Sequence, residues 1–134
     1  MSDRGVCILV VDDEPDMADL FRQRFRREVR EGTYMLQFAA SAEAALDHLR
    51  SDARHDPMLV LSDVNMPGID GLALLQAIHH EWPGLPVMMV TAYGDDERRR
   101  QAAALGAADF LGKPVDFDHL KRRLRDIAPR GPSA

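Results

Sequence analysis

The sequence predicts an α/β protein of the doubly wound kind, a five-stranded parallel sheet with helices on both faces. Three observations carry this. Short apolar runs recur at residues 7–11, 35–39, 58–61, 87–90 and 109–111. Each is followed by a segment whose apolar residues have helical spacing. The first, third and fourth runs are continuous rather than alternating, as in strands covered on both sides. With 134 residues, 46% apolar and 29% charged, the chain can bury one core and is too short for two substantial domains.

The elements follow in order. Residues 7–11 form the first strand. Pro15 opens a helix that carries Met17, Leu20, Phe21, Phe25 and Val29 on one face. The second strand, 35–39, leads to Ser41 as a helix cap with Ala44 and Ala45 behind it. The third, 58–61, precedes a helix that starts at Asp70, carries Leu72, Leu75 and Ile78, and stops at Pro83-Gly84 after Trp82. After the fourth strand, 87–90, Asp95 with Asp96 and Glu97 starts the fourth helix, and Gly106 after Leu105 ends it. The weaker run 109–111 is the fifth strand. Asp116 starts a fifth helix with Phe117, Leu120, Leu124 and Ile127 on one face. Parallel strands joined by right-handed crossovers, five in number, suit the flavodoxin-like order 2-1-3-4-5. Residues 1–128 are expected to be the domain and 129–134 a short C-terminal tail.

Composition excludes several classes. A net charge of −5, from 22 acidic and 17 basic residues, argues against direct nucleic-acid binding. No apolar run approaches the roughly 20 residues of a membrane span. The opening residues lack the apolar stretch of a signal peptide, and the single cysteine, Cys7, cannot form an intrachain disulfide. A cytoplasmic location is expected. Fifteen of the basic residues are arginine; only Lys113 and Lys121 are lysine.

Ligands of an open parallel sheet bind beyond the carboxyl ends of its strands, where strand order reverses. That point lies between strands one and three, which end in Asp12-Asp13-Glu14 and Ser62-Asp63. Strand four ends at Thr91 next door, and strand five runs into Gly112-Lys113-Pro114. Three carboxylates, a hydroxyl and an ammonium group therefore converge. Carboxylates brought together repel unless a hard cation sits among them, and Mg²⁺ prefers oxygen ligands and bridges to phosphoryl oxygens. A metal, a lysine and a hydroxyl make a phosphoryl site, and an aspartate can itself be the acceptor. Lysine suits this contact because a compact ammonium serves a carboxylate and a phosphoryl oxygen at once.

These residues resemble a response-regulator receiver domain, the phospho-acceptor module of bacterial two-component signalling. The resemblance runs through Val10-Val11-Asp12-Asp13-Glu14, Ser62-Asp63-Val64-Asn65-Met66-Pro67-Gly68-Ile69-Asp70-Gly71, Thr91-Ala92 and Gly106-Ala107-Ala108-Asp109-Phe110-Leu111-Gly112-Lys113-Pro114. It implies that Asp63 takes a phosphoryl group from a phosphohistidine on a histidine kinase or phosphotransfer protein. Asp12, Asp13, Asp63 and the backbone carbonyl of Asn65 would hold Mg²⁺, and Lys113 would contact the phosphoryl oxygens. Thr91 would swing toward that group and Phe110 would change rotamer behind it, so that the fourth helix, fifth strand and fifth helix report the state to a downstream protein. The resemblance also implies a cis peptide at Lys113-Pro114. Asn65 and Tyr93 stand where such domains tune the acyl phosphate's lifetime; the bulk of Tyr93 would screen it from water. Phe110 replaces the commoner tyrosine, losing a hydroxyl but keeping the aromatic rotor. Homodimer formation is left open.

Other readings fit these residues less well. Helix capping accounts for single acids after strands but not for the pair and the lysine. A calcium loop from Asp63 fails because Pro67 holds its fifth position and Leu74 its twelfth. A haloacid-dehalogenase-type phosphatase needs an aspartate where Asn65 stands, and an acidic loop after strand one would repel the phosphate of a flavin. Thr91 in isolation is an ordinary strand-end residue, and Phe110 is partly a core residue. Arginines 22, 24, 26, 27 and 30 read as a solvated face, with partner docking near the first helix as the alternative. Arg98, Arg99 and Arg100 read as charge partners of Asp95, Asp96 and Glu97. The five histidines are scattered and suggest no metal cluster. The expected activity is self-phosphorylation and self-dephosphorylation only, without turnover of a free substrate. A pseudo-receiver that only binds protein, and a receiver belonging to a DNA-binding regulator, are the competing classes.

Overall fold

The structure, a computed structural model, describes residues 6–51, 59–64, 70–91 and 96–127. The elements run β1 (Val6–Val11), α1 (Pro15–Arg24), α2 (Arg26–Arg30), β2 (Tyr34–Ala39), α3 (Ala42–Ser51), β3 (Leu59–Asp63), α4 (Gly71–Glu81), β4 (Val87–Thr91), α5 (Asp96–Ala104), β5 (Asp109–Gly112) and α6 (Phe117–Ile127). The strands form one parallel sheet of order β2-β1-β3-β4-β5, as the sequence predicts.

Alternation along the buried strands divides the interior in two. Val6, Ile8, Val10, Leu59, Leu61, Met88 and Val90 face α1 and α6, where they meet Phe21, Phe25, Phe117, Leu120 and Leu124. Leu9, Val11, Val60, Val87 and Met89 face the other side, against Ala42, Ala45 and Leu49 of α3, Leu74, Leu75 and Ile78 of α4, and Ala102 of α5. Every described residue of β1, β3 and β4 is buried, which is why those runs show no polar alternation.

Helix punctuation follows the expected residues. Ser41 Oγ accepts from the Ala44 amide at 3.0 Å, Asp70 Oδ1 from Ala73 at 3.0 Å, and Asp116 Oδ1 from Asp118 and His119 at 3.1 and 3.2 Å. Gly106 has φ +97°, the left-handed turn that ends α5, and a side chain there would also press on the His79 ring. Asp95 lies outside the described residues.

The first helix departs from expectation: it breaks at Phe25, and a sixth helix results. Phe25 is fully buried, stacked on Phe21 with centroids 5.7 Å apart and edge-on to Tyr34 and Phe117. The Arg24 carbonyl beside it accepts from Lys121 Nζ at 2.8 Å; the same ammonium pairs with Glu28 at 2.9 Å and lies 5.0 Å from the centre of the Phe25 ring. Burial alone would raise the Glu28 pKa, but the Lys121 hydrogen bond, a backbone hydrogen bond and the charges of Lys121 and Arg27 together outweigh it, and the carboxyl is held below its ordinary value. Val29, past the break, is 44% exposed instead of facing the core. Among the described residues no helix is long and apolar enough to cross a membrane.

Candidate functional site

Strand register builds the site. Val11 of β1 is level with Ser62 of β3, so Asp12 and Asp63, each the next residue, leave the sheet side by side. Asp63 pairs with Val90 on β4, and Thr91 with Gly112 on β5. Lys113 thus starts two strands away from Asp63, roughly 10 Å laterally, a span its extended side chain can cross.

It does cross it. Lys113 Nζ lies 2.7 Å from Asp63 Oδ2, and Asp63 is only 5% exposed. Asp12, Asp13 and Asp63 each offer a carboxylate oxygen, and these oxygens lie within 4.8 Å of one another. Asp13 is exposed and Asp12 half-buried, so the cluster opens outward from a buried base.

The charges are unbalanced, three carboxylates against one ammonium. Burial raises the Asp12 pKa; the hydrogen bond from the Glu14 amide (2.9 Å) works against this, Asp63 adds to it, and the net direction is upward. Burial would lower the Lys113 pKa, yet the hydrogen bond and charge of Asp63, joined by Asp12 and Glu14, leave it raised. A cluster of hard oxygen donors carrying excess negative charge, without soft sulfur or imidazole among its members, fits a hard divalent cation such as Mg²⁺.

Thr91 is 3% exposed, and its Oγ1 reaches the Leu111 carbonyl at 3.5 Å, the limit of a hydrogen bond. The Lys113 amide donates to the Thr91 carbonyl at 3.0 Å, which fixes the start of the lysine against β4. The Lys113–Pro114 peptide is cis. Phe110 is half-buried, two residues before Gly112 and on the same face of β5. Asn65 and Tyr93 lie outside the described residues, so the structure says nothing of their part. A cleft of about 260 Å³ opens beside Asp12 and Asp13, with Pro15, Ala18, Phe38 and Ala39 among its walls.

Three contributors escaped sequence reasoning. Gly71 packs so tightly on Asp63 and Val64 that a Cβ would sit 2.2 Å from the Asp63 carbonyl oxygen; its amide donates to the Val64 carbonyl at 2.8 Å. Arg98 lies 3.6 Å from Asp70, the cap of α4, and Arg99 lies 5.2 Å from the centre of the Phe110 ring. Among the described residues, Arg100 pairs as expected, with Glu97 at 2.7 Å. On the first helix, Arg22 lies over Phe38 and Arg24 over Phe117, so part of the basic stretch covers aromatic rings.

Comparison with known proteins agrees with this layout. Residues 8–125 match the response regulator receiver domain family. The chain is 42% identical to the response regulator protein FleR of Pseudomonas aeruginosa over 92% of its length, and 36% identical to the transcriptional regulatory protein ZraR of Escherichia coli over 92%. It spans only 24% and 26% of those two proteins. The crystal structure of the receiver domain of NtrX from Brucella abortus superposes with a TM-score of 0.78 at 36% identity, over 90% of this chain and 96% of that one.

Proposed function

The chain belongs to the response regulator receiver domain family, and from that premise we propose that Asp63 accepts a phosphoryl group from a phosphohistidine on a histidine kinase or phosphotransfer protein. The observation that carries this reading is the Lys113–Asp63 contact at the buried base of an acidic cluster. Asp63 is the acid with a cation already in place to follow the oxygens that arrive on it; Asp13 is exposed to solvent and suits a metal.

In the proposed step a carboxylate oxygen of Asp63 attacks phosphorus, the phosphorus–nitrogen bond of the donor breaks, and the imidazole leaves with the electron pair. The product is an acyl phosphate. Asp12, Asp13, Asp63 and the Asn65 carbonyl would hold Mg²⁺. When bound, the ion supplies positive charge against the phosphoryl oxygens. Lys113, tied to β4 through its amide, keeps its ammonium aimed at the same oxygens. Thr91 gives up its long contact with Leu111 to donate to the phosphoryl group, and Phe110 turns on the same face of the sheet. Tyr93 shields the product from water, and Asn65 tunes its lifetime.

The surface of α5, β5 and α6 then presents a changed face to a downstream protein, in the cytoplasm, with residues 1–128 acting as one domain and 129–134 as a tail. The chain modifies itself and turns over no free substrate. FleR and ZraR are several times longer than this chain, so a whole protein carrying this domain would draw its output from regions beyond the matched segment. Incubation with acetyl phosphate and Mg²⁺, followed by intact-protein mass measurement, tests the reading. One phosphoryl adduct is expected, absent without Mg²⁺ and absent in Asp63→Asn. No adduct with any phosphoryl donor would favour a module that only binds protein.

A further inference from the structure

Helix α5 is poorly anchored by apolar contact. Its sequence, Asp-Glu-Arg-Arg-Arg-Gln-Ala-Ala-Ala, buries only Ala102. Among its described residues, a pair of successive arginines ties it to its neighbours. Arg98 reaches Asp70 at the start of α4, and Arg99 lays its guanidinium 5.2 Å from the centre of the Phe110 ring on β5. The backbone beneath that ring is held separately: Asp109 Oδ1 accepts from the Phe110 amide at 2.8 Å, and Asp109 is itself paired with Arg123 of α6. Phe110 therefore has a fixed main chain and a half-buried ring with a cation on it. Gly112, on the same face and level with Thr91, has nothing within 4 Å of where a side chain would begin, so the space above it is open.

We propose that Arg99 is a positioning residue that holds the Phe110 ring in its resting orientation, so that phosphorylation of Asp63 must break this contact before the ring moves. This rests on the switching role given to Phe110 above. An exposed cation–π contact biases an equilibrium by about two- to fivefold. Whatever favours the moved ring favours phosphorylation by the same coupling.

The test uses ring ¹³C NMR of the unmodified protein, with the Phe110 signal assigned through Phe110→Leu. Arg99→Gln, which keeps length and loses charge, should shift the Phe110 equilibrium two- to fivefold away from the resting position and raise the steady-state acetyl-phosphate adduct similarly. Arg99→Lys should restore both toward wild type. An unmoved Phe110 signal in Arg99→Gln overturns the proposal, as does a shift that Arg99→Lys reproduces in full or an adduct level that does not follow the ring. Should the wild-type protein form no adduct at all, the phospho-acceptor reading fails, and the ring equilibrium alone decides the role of Arg99.

Discussion

Replacing Asp12 by asparagine should stabilise the metal-free protein, although it removes a residue central to the site. Asp12 is half-buried, its pKa is raised first by burial, and its oxygens lie within 4.8 Å of carboxylate oxygens on Asp13 and Asp63. At that distance two like charges repel by about 0.9 kcal/mol in water and by about 3.5 kcal/mol at an effective dielectric constant near 20. Lys113 cancels much of the Asp63 share, which leaves a gain of about 1 kcal/mol on neutralising Asp12. An asparagine oxygen can still accept from the Glu14 amide, so the turn is kept. For 134 residues the unfolding entropy is about 0.3 kcal/mol per kelvin, so Tm in EDTA should rise by about 3–4 °C. Magnesium should reverse the order. At ten times its Kd a ligand adds about 1.4 kcal/mol to the wild-type protein, or roughly 5 °C, whereas Asp12→Asn should gain far less. Differential scanning fluorimetry across a Mg²⁺ titration reads both effects. A variant that melts below wild type in EDTA, or that gains as much from Mg²⁺, would refute the claim that these acids are held in mutual repulsion for a cation.

Other perturbations probe the frame around the site. Gly71→Ala forces a Cβ onto the Asp63 carbonyl and should cost at least the upper end of about 1–3 kcal/mol, lowering Tm by about 10 °C in thermal melts. Lys121→Met removes three contacts at the first-helix break and should cost about 1–2 kcal/mol by urea denaturation at neutral pH. Because the Glu28 carboxyl is held below its ordinary value of 4.5, its share of that stability is present above this pH and disappears as pH falls through the lowered value. The gap between wild type and Lys121→Met should therefore narrow in acid; a gap that widens would contradict the assignment.

Much of this was legible because a parallel sheet turns sequence into geometry with few choices. Continuous apolar runs named the buried strands, and strand order then forced Asp12, Asp13, Asp63 and Lys113 to one edge across a hundred residues of chain. The break at Phe25 was invisible because the partner met there, the Lys121 ammonium on the Arg24 carbonyl, lies 97 residues away, while periodicity shows only an apolar stripe. The arginines of α5 misled for a related reason. Local charge pairing explains Arg100, but Arg98 and Arg99 turn to partners on α4 and β5 that only tertiary structure supplies. Gly71 carried no signal of its own, because its steric role arises from the approach of two backbone segments that only the fold brings together.

Among three neighbouring carboxylates, Asp63 is the proposed acceptor, and chemical trapping tests that choice directly. Borohydride reduces an acyl phosphate to the alcohol and so converts the modified aspartate to homoserine. Peptide mapping after treatment with acetyl phosphate, Mg²⁺ and borohydride should find homoserine at position 63, where the lysine contact lies. Homoserine at position 12 or 13 would contradict the account, because the acids assigned to the cation would then be the ones that carry the phosphoryl group.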